Sequence, residues 1–196
     1  MHSTTLSFAN LHNHGALFEN VIRARRESSF AQDHISIPET LRLEYDQYDT
    51  PQSRWLAVHD DTGQVLAGVR LTPTTAQCGI YSYMIRDAQN GLLESIPTDL
   101  LLDQAPVSEN TWEVTRGFIR RDIPAGIRHK VRRQFAQQLL QTSREEGVTK
   151  LLALLPSPWR RWTARCDLKT RAAGPAFKLN DIMHQAVWID FARNLN

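Results

Sequence analysis

Apolar and polar positions are most regularly ordered near the middle of the chain. Arg54-Trp-Leu-Ala-Val-His59 predicts a strand, Asp60-Asp-Thr-Gly63 a turn, and Gln64-Val-Leu-Ala-Gly-Val-Arg-Leu71 the returning strand. Ahead of this hairpin, residues 11–30 predict a helix: Leu11, Phe18, Val21 and Ile22 fall on one side, and Arg23, Arg25 and Arg26 crowd its end. Residues 31–50 show no clean period and are interrupted by Pro38. They predict a long irregular loop, and long ordered loops are often functional. Residues 72–80 read as a loop rich in Thr and Pro, and residues 81–107 as short helical pieces broken at Pro97 and Pro106.

Thr111-Trp-Glu-Val-Thr-Arg-Gly-Phe-Ile119 is a strand by its β-branched and aromatic content. A helix follows over residues 125–146, where Ile127, Val131, Phe135 and Leu139 step by four and Gly147 sits just past the end. Val148 to Leu155 predicts a buried strand ending at Pro156, and residues 157–166 a short helix. The tail predicts one or two more strands, the better being His184 to Phe191. Strand–helix–strand after an antiparallel hairpin predicts an α/β fold, a mixed sheet flanked by helices, as a single domain over residues 1–196. The N-acetyltransferase-like fold has this order. In it, two central parallel strands part and admit a thioester donor.

Composition narrows the class. Hydrophobic residues make up 41% of the chain, enough for a core, and the net charge of +2 gives no chain-wide reason to expect nucleic acid. Cys78 and Cys166 lie far apart without metal spacing, which argues against a disulfide framework or a zinc site. No apolar run has transmembrane length, and the N-terminus lacks a signal-peptide pattern. The expectation is a cytoplasmic protein without membrane insertion or metal.

Four polar clusters invite a chemical reading, and each has a plain structural alternative. Arg26 and Phe30 lie four apart at a helix end, where the plain reading is a surface cation at the C-terminus with Phe30 in the core. Glu44-Tyr-Asp46-Gln-Tyr-Asp49-Thr-Pro51 can hold a cation or a set of arginines, or can be turn chemistry. Arg70 ends the hairpin and is either solvated or paired. Finally, Glu113 shares a strand face with Thr115, while Arg116 lies on the other face unless a bulge intervenes. A buried charge here needs partners, and Asp46, Asp49 and Arg70 would supply them. A basic zone follows at Arg120, Arg121, Arg128, Lys130, Arg132 and Arg133, with Asp122 as the one acid, around the start of the long helix. It suits coenzyme A phosphates, an acidic carrier protein, or plain solvation.

Taken in order, these clusters resemble the acyl-homoserine lactone synthase family, the LuxI-type autoinducer synthases of quorum sensing. Arg26 and Phe30 match its Arg-x-x-x-Phe, and Asp46 and Asp49 its Asp-x-x-Asp beside Thr50-Pro51. Gly68, Arg70, Leu71, Pro73 and Thr74 match Gly-x-Arg-Leu-x-Pro-Thr. Glu113, Arg116 and Phe118 match Glu-x-x-Arg-x-Phe, and Gly174-Pro175 is similar to the C-terminal segment. Two positions depart from the pattern. Asp33-His-Ile-Ser36 carries no Trp, and Tyr83-Met-Ile-Arg-Asp87 is followed by Ala88-Gln89 rather than an aromatic. Both positions lie around the S-adenosylmethionine pocket in the family. The loop between Thr75 and Tyr83 is also longer than usual for the family.

The resemblance implies an acyltransferase that joins an acyl thioester, on acyl carrier protein or coenzyme A, to S-adenosylmethionine, both as substrates and without a cofactor. It implies Glu113 as proton acceptor, and Asp46, Asp49, Arg70, Arg116 and Phe118 as the acceptor site beneath a lid bearing Arg26 and Phe30. The donor would dock at Arg120, Arg121, Arg128, Lys130 and Arg132. Leu151 and Ala153 would line the acyl pocket. Family members that prefer 3-oxo chains often place a Thr near Ala153, so its absence implies chains without that oxygen. Two rivals stay open: an N-acyl amino acid synthase or other N-acyltransferase of this fold with a different amine acceptor, and a non-enzymatic module whose basic helix binds an acidic protein or nucleic acid. Nothing in the sequence brings His184 or Cys166 to a nucleophile.

Overall fold

Alternation near the N-terminus is too polar to announce a strand, yet a strand is what forms there. In the computed structural model, which describes residues 1–29, 43–157, 159–166 and 168–190, β1 spans His2–Leu6. A 3-10 turn at Leu11–Asn13 precedes α1, Leu17–Ser29, so the predicted helix over 11–30 begins later than its apolar spacing suggests. The hairpin forms as predicted, β2 over Arg54–His59 and β3 over Val65–Pro73. Only α2, Met84–Gln89, is helical between the hairpin and β4, Thr111–Ile119, among the described residues. There Ile96, Leu100, Leu101 and Ala105 are buried one by one without a helical repeat. The long helix α3 covers Ala125–Glu145, followed by β5, Lys150–Pro156, and α4, Trp159–Ala164. Both tail strands exist: β6, Thr170–Leu179, and β7, Ile182–Asp190. Asn180 and Asp181 join them with φ of 46° and 64°, the two left-handed residues of a tight hairpin turn.

The seven strands form a mixed sheet in the order β1-β2-β3-β4-β5-β7-β6. The β4–β5 pair is parallel, and β1–β2, β2–β3, β5–β7 and β6–β7 are antiparallel. No helix among the described residues is long and apolar enough to cross a membrane.

Two compact units divide the chain. The first comprises Met1–Leu71 and Arg116–Leu139. Its core gathers Leu6, Leu17, Val21, Trp55, Ala57, Val65 and Phe118, with the Phe18 ring edge-on to Trp55 at 4.8 Å between centroids. Gly68 makes room for Phe118, because a Cβ there would lie 2.9 Å from its ring. Val131, Phe135 and Leu139 are buried as their spacing predicts, but Ile127 is 46% exposed at the first turn of α3. Strand β1 is tied to α3 by side-chain hydrogen bonds: Ser3 Oγ to Gln138 at 2.7 Å and Gln138 Nε2 to Thr5 Oγ1 at 3.1 Å. That polar seam is why hydrophobic periodicity misses the strand.

The second unit comprises Thr72–Thr115 and Leu140–Asn196. Tyr83, Ile85, Ile96, Leu100, Leu101, Leu152, Ala173 and Ala186 make its core. At Gly174 the segment around Leu100 crosses β6 so closely that a Cβ would lie 1.9 Å from the Leu100 carbonyl oxygen. That atom is backbone, pinned by the neighbouring Leu102 N–H donating to Ala173 O at 3.0 Å, so it cannot swing aside as a side chain would. Gly174→Ala is therefore expected to cost about 3 kcal/mol or more, a fall of roughly 6–12 °C in melting temperature for a chain of this size. An unchanged melt would show that the crossing segment moves freely.

Candidate active site

In the first unit, α1, the 44–53 segment, β3 and the far end of β4 each contribute charge to one cluster. Helix α1 contributes Arg25, which follows Val21 by four and Ile22 by three and so lies on the buried face. The Asp46–Asp49 turn organises itself. Asp49 N–H donates to Asp46 O at 3.1 Å, Asp46 N–H to Asp49 Oδ2 at 3.0 Å, and Tyr48 N–H to Asp46 Oδ1 at 2.9 Å. Both carboxylates thereby face inward. Asp49 receives the Arg25 guanidinium at 2.8 and 3.1 Å, Trp55 Nε1 at 2.9 Å, and lies 3.1 Å from Arg70 Nη1. Arg70 is only 1% exposed, sits against the Tyr48 ring and pairs closely with Asp46.

Arg116 completes the cluster. Its φ of 55° is left-handed, a local irregularity in the strand. Its Nη1 lies 3.0 Å from Glu44, and Nε and Nη2 reach Asp46 at 3.0 and 2.9 Å. Three carboxylates thus face three guanidiniums. Burial pushes the Asp46 and Asp49 carboxyls up, but Arg70 and Arg116 at the first, and Arg25 and Arg70 at the second, hold both below the usual range.

Carboxyls depressed by folding stabilise the native state above their unfolded pKa of about 3.9, and that contribution is lost as pH falls through the lower folded values. The denaturation midpoint of the protein is expected to hold from pH 7 to about 5 and to drop steeply below 4. Asp49→Asn should flatten that drop. A midpoint as acid-sensitive in Asp49→Asn as before would remove Asp49 from the account.

In the second unit, Glu113 is wholly buried on β4. Its carboxylate accepts the N–H groups of Met84 at 3.2 Å and Ile85 at 2.7 Å, the first two residues of α2. Beside it, burial first and then the Glu113 charge push the Tyr83 phenol up, and its hydroxyl donates to Pro106 O at 2.6 Å. The parallel pairing of β4 with β5 runs from Thr111–Lys150 to Val114–Ala153 and then ends, one residue past Glu113. Register opposes Glu113 to Leu152, so Leu152 and Leu154 share its face of the sheet, while Leu151 and Ala153 lie on the opposite face, both fully buried.

The other predicted positions are distributed as follows. Arg26 is buried, and its neighbour Arg25 enters the ion cluster through Asp49. Phe30 lies outside the described residues, as does Asp33-His-Ile-Ser36. Phe118 is in the core of the first unit. Arg120 is turned to Asp122 at 2.6 Å and Glu27 at 3.3 Å, and Arg128 donates to the carbonyls of Arg121 and Ile123 at 2.7 and 2.8 Å. Arg121 and Lys130 are exposed and Arg132 is half-buried. Cys166 is buried, and His184 Nδ1 lies 3.0 Å from Ile182 O. No group of three or more His, Cys, Asp or Glu able to hold a metal occurs among the described residues.

Two curated proteins align with the chain, both acyl-homoserine-lactone synthases. The Ralstonia solanacearum protein is 25% identical over 152 residues, 76% of this chain and 69% of its own length. The Aeromonas salmonicida protein is 26% identical over 136 residues, 67% of this chain and 59% of its own length. The chain thus resembles acyl-homoserine-lactone synthases over most of its length. No family model matches it. Among solved structures, the synthase LasI superposes with a TM-score of 0.75 at 18% identity, covering 96% of this chain and 90% of that one. BjaI, a CoA-dependent acyl-homoserine lactone synthase with SAM and isopentyl-CoA, gives 0.74 at 18% identity, covering 97% and 83%. An acyl-CoA N-acyltransferase from Pseudomonas aeruginosa gives 0.58 at 16% identity, covering 96% and 99%. The wider fold is thus that of the N-acyltransferases, as the element order predicts. Arg25 is the cluster residue that the sequence motifs do not name. Its spacing from Val21 and Ile22 was the available signal.

Proposed function

We propose that the chain makes an N-acyl-homoserine lactone from an acyl thioester and S-adenosylmethionine. The observation that carries this reading is Glu113, a buried carboxylate oriented by two backbone N–H donors one residue before β4 and β5 part. The α-amine of S-adenosylmethionine attacks the thioester carbonyl and the thiol leaves. Glu113 accepts the amine's proton, directly or through water. Backbone N–H groups of β4 stabilise the oxyanion. The methionyl carboxylate then closes on its own γ-carbon, and the C–S bond breaks to expel methylthioadenosine. The sulfonium is already a good leaving group, so this second step asks mainly for orientation.

Asp46, Asp49, Arg70 and Arg116, with Arg25 and Glu44, shape the acceptor site, and Arg26 belongs to its cover. Arg116 suits contact with an anionic group of the acceptor, because its side chain is 35% exposed while its guanidinium is held by Glu44 and Asp46. The donor is an acyl carrier protein or coenzyme A thioester. Arg121 and Lys130, both exposed, are candidates to meet it, while Arg120 is paired with Asp122 and Arg128 with the Ile123 carbonyl. Leu151 and Ala153 line the acyl chain.

The purified chain, given S-adenosylmethionine and an acyl-CoA or acyl-carrier-protein donor, is expected to release methylthioadenosine and lactone in equal amounts, read by chromatography and mass spectrometry. An N-acylated amine formed without methylthioadenosine would identify a different acceptor. No acyl transfer with any donor would end the reading.

A further inference from the structure

Glu113 reaches α2 from another element, and α2 has no N-cap side chain of its own. The N-cap is Tyr83, extended at φ −129° and ψ 155°, and its side chain makes no capping bond. Two orphan N–H groups of the first turn therefore go to Glu113. What fixes that turn is a second carboxylate. Asp87, in the same first turn of α2 and 1% exposed, reaches back past the N-cap to Ser82. Its Oδ2 accepts the Ser82 N–H at 2.9 Å, and its Oδ1 accepts the Ser82 hydroxyl at 2.6 Å and the N–H at 3.2 Å. Asp87 N–H also donates to Tyr83 O at 3.0 Å. Ser82 and Met84 flank Tyr83, so closing Ser82 onto Asp87 sets the direction in which the Met84 and Ile85 N–H groups point.

We propose that Asp87 is a positioning residue for acyl transfer: it holds the entry to α2 so that Met84 and Ile85 orient the Glu113 carboxylate. This rests on the assignment of Glu113 as proton acceptor. A buried carboxylate bound twice to one backbone residue is a stiff link, and Ser82, Tyr83, Ile85 and Asp87 are all buried. With Asp87 neutral, the charge-assisted bonds to Ser82 weaken. The turn then relaxes and the Glu113 carboxylate loses its fixed orientation, although Asp87 itself need touch neither substrate. A displacement of well under 1 Å at a proton acceptor is enough to lower turnover without changing how substrates bind.

The test is a kinetic double-mutant cycle with S-adenosylmethionine and a matched acyl thioester. Asp87→Asn is expected to lower kcat about tenfold and leave both KM values within twofold. In a Glu113→Gln background it should add less than twofold, because both changes act through one carboxylate. Ser82→Ala, which removes only the 2.6 Å hydroxyl bond, should reproduce the same pattern more mildly and serves if Asp87→Asn does not fold. Multiplicative losses in the double variant, or raised KM with unchanged kcat, would overturn the proposal. Should the unsubstituted protein form no methylthioadenosine, the functional reading fails by itself. The same cycle read on unfolding free energies then decides whether Asp87 and Glu113 are coupled, and additive values there would remove the link.

Discussion

Glu113→Gln is expected to cut turnover at least tenfold and to lower stability by about 1–3 kcal/mol. The two effects have one origin. The carboxylate offers acceptor lone pairs on both oxygens, and these meet the N–H of Ile85 at 2.7 Å and of Met84 at 3.2 Å. Glutamine keeps one acceptor and replaces the other with an NH2 group, so a donor faces a donor at the head of α2. One backbone N–H is left without its partner in a fully buried place. The catalytic loss adds to this, because an amide cannot take the proton of the attacking amine. Steady-state kinetics with both substrates and thermal melts on the same preparations separate the two. A folded variant with unchanged kcat would remove Glu113 as the proton acceptor. A variant with lost activity and an unshifted melt would instead show that the capping bonds contribute little.

The sequence was most legible where side chains of one kind recur at one period. The β2–β3 hairpin, β4 and α3 announce themselves through apolar alternation or four-residue steps, and the structure places them within one or two residues. Strand β1 was not legible because its contacts are polar: Ser3 and Thr5 meet Gln134 and Gln138, a seam with no hydrophobic signature. The segment between α2 and β4 was overread as helix because its apolar residues are buried singly around Pro97 and Pro106.

The candidate site divides the same way. Asp46, Asp49, Arg70 and Arg116 were named from their motif order, and their pairing followed from the rule that buried charges need partners. Arg25 was missed although helical spacing pointed to it, because its neighbour Arg26 fitted the family pattern better. Asp87 was invisible for a different reason. Its partners are the N–H and hydroxyl of Ser82, five residues away, and a serine–aspartate pair at that spacing is too common to stand out in a sequence. The left-handed backbone of Arg116 was foreseeable only as a condition, since a break in strand alternation there needs a local irregularity.

The largest stability effect is expected in the first unit's ion cluster. Asp49→Ala should cost about 3–5 kcal/mol, a large part of the total stability of an ordinary domain. The change leaves the Arg25 and Arg70 side chains, 3% and 0% exposed, with a missing counter-charge, and takes the acceptor from Trp55 Nε1. Arg70→Ala should cost a similar amount at neutral pH by leaving Asp46 and Asp49 close together with less positive charge between them. The two variants must part as pH falls. In Arg70→Ala the stranded groups are carboxyls, which can take up protons and become neutral, so its deficit relative to the unsubstituted protein should shrink between pH 7 and 4. In Asp49→Ala the stranded groups are guanidiniums, which do not lose their charge at any pH the protein survives, so relief by titration is closed to them. Its deficit shrinks only as far as the unsubstituted protein itself loses the Asp49 contribution, at lower pH. Denaturation midpoints of all three proteins at pH 7, 5.5 and 4 read the difference directly. Equal deficits at every pH would mean that the cluster's charges are solvated, and melts of both variants matching the unsubstituted protein would show that the ion pairs contribute nothing to stability.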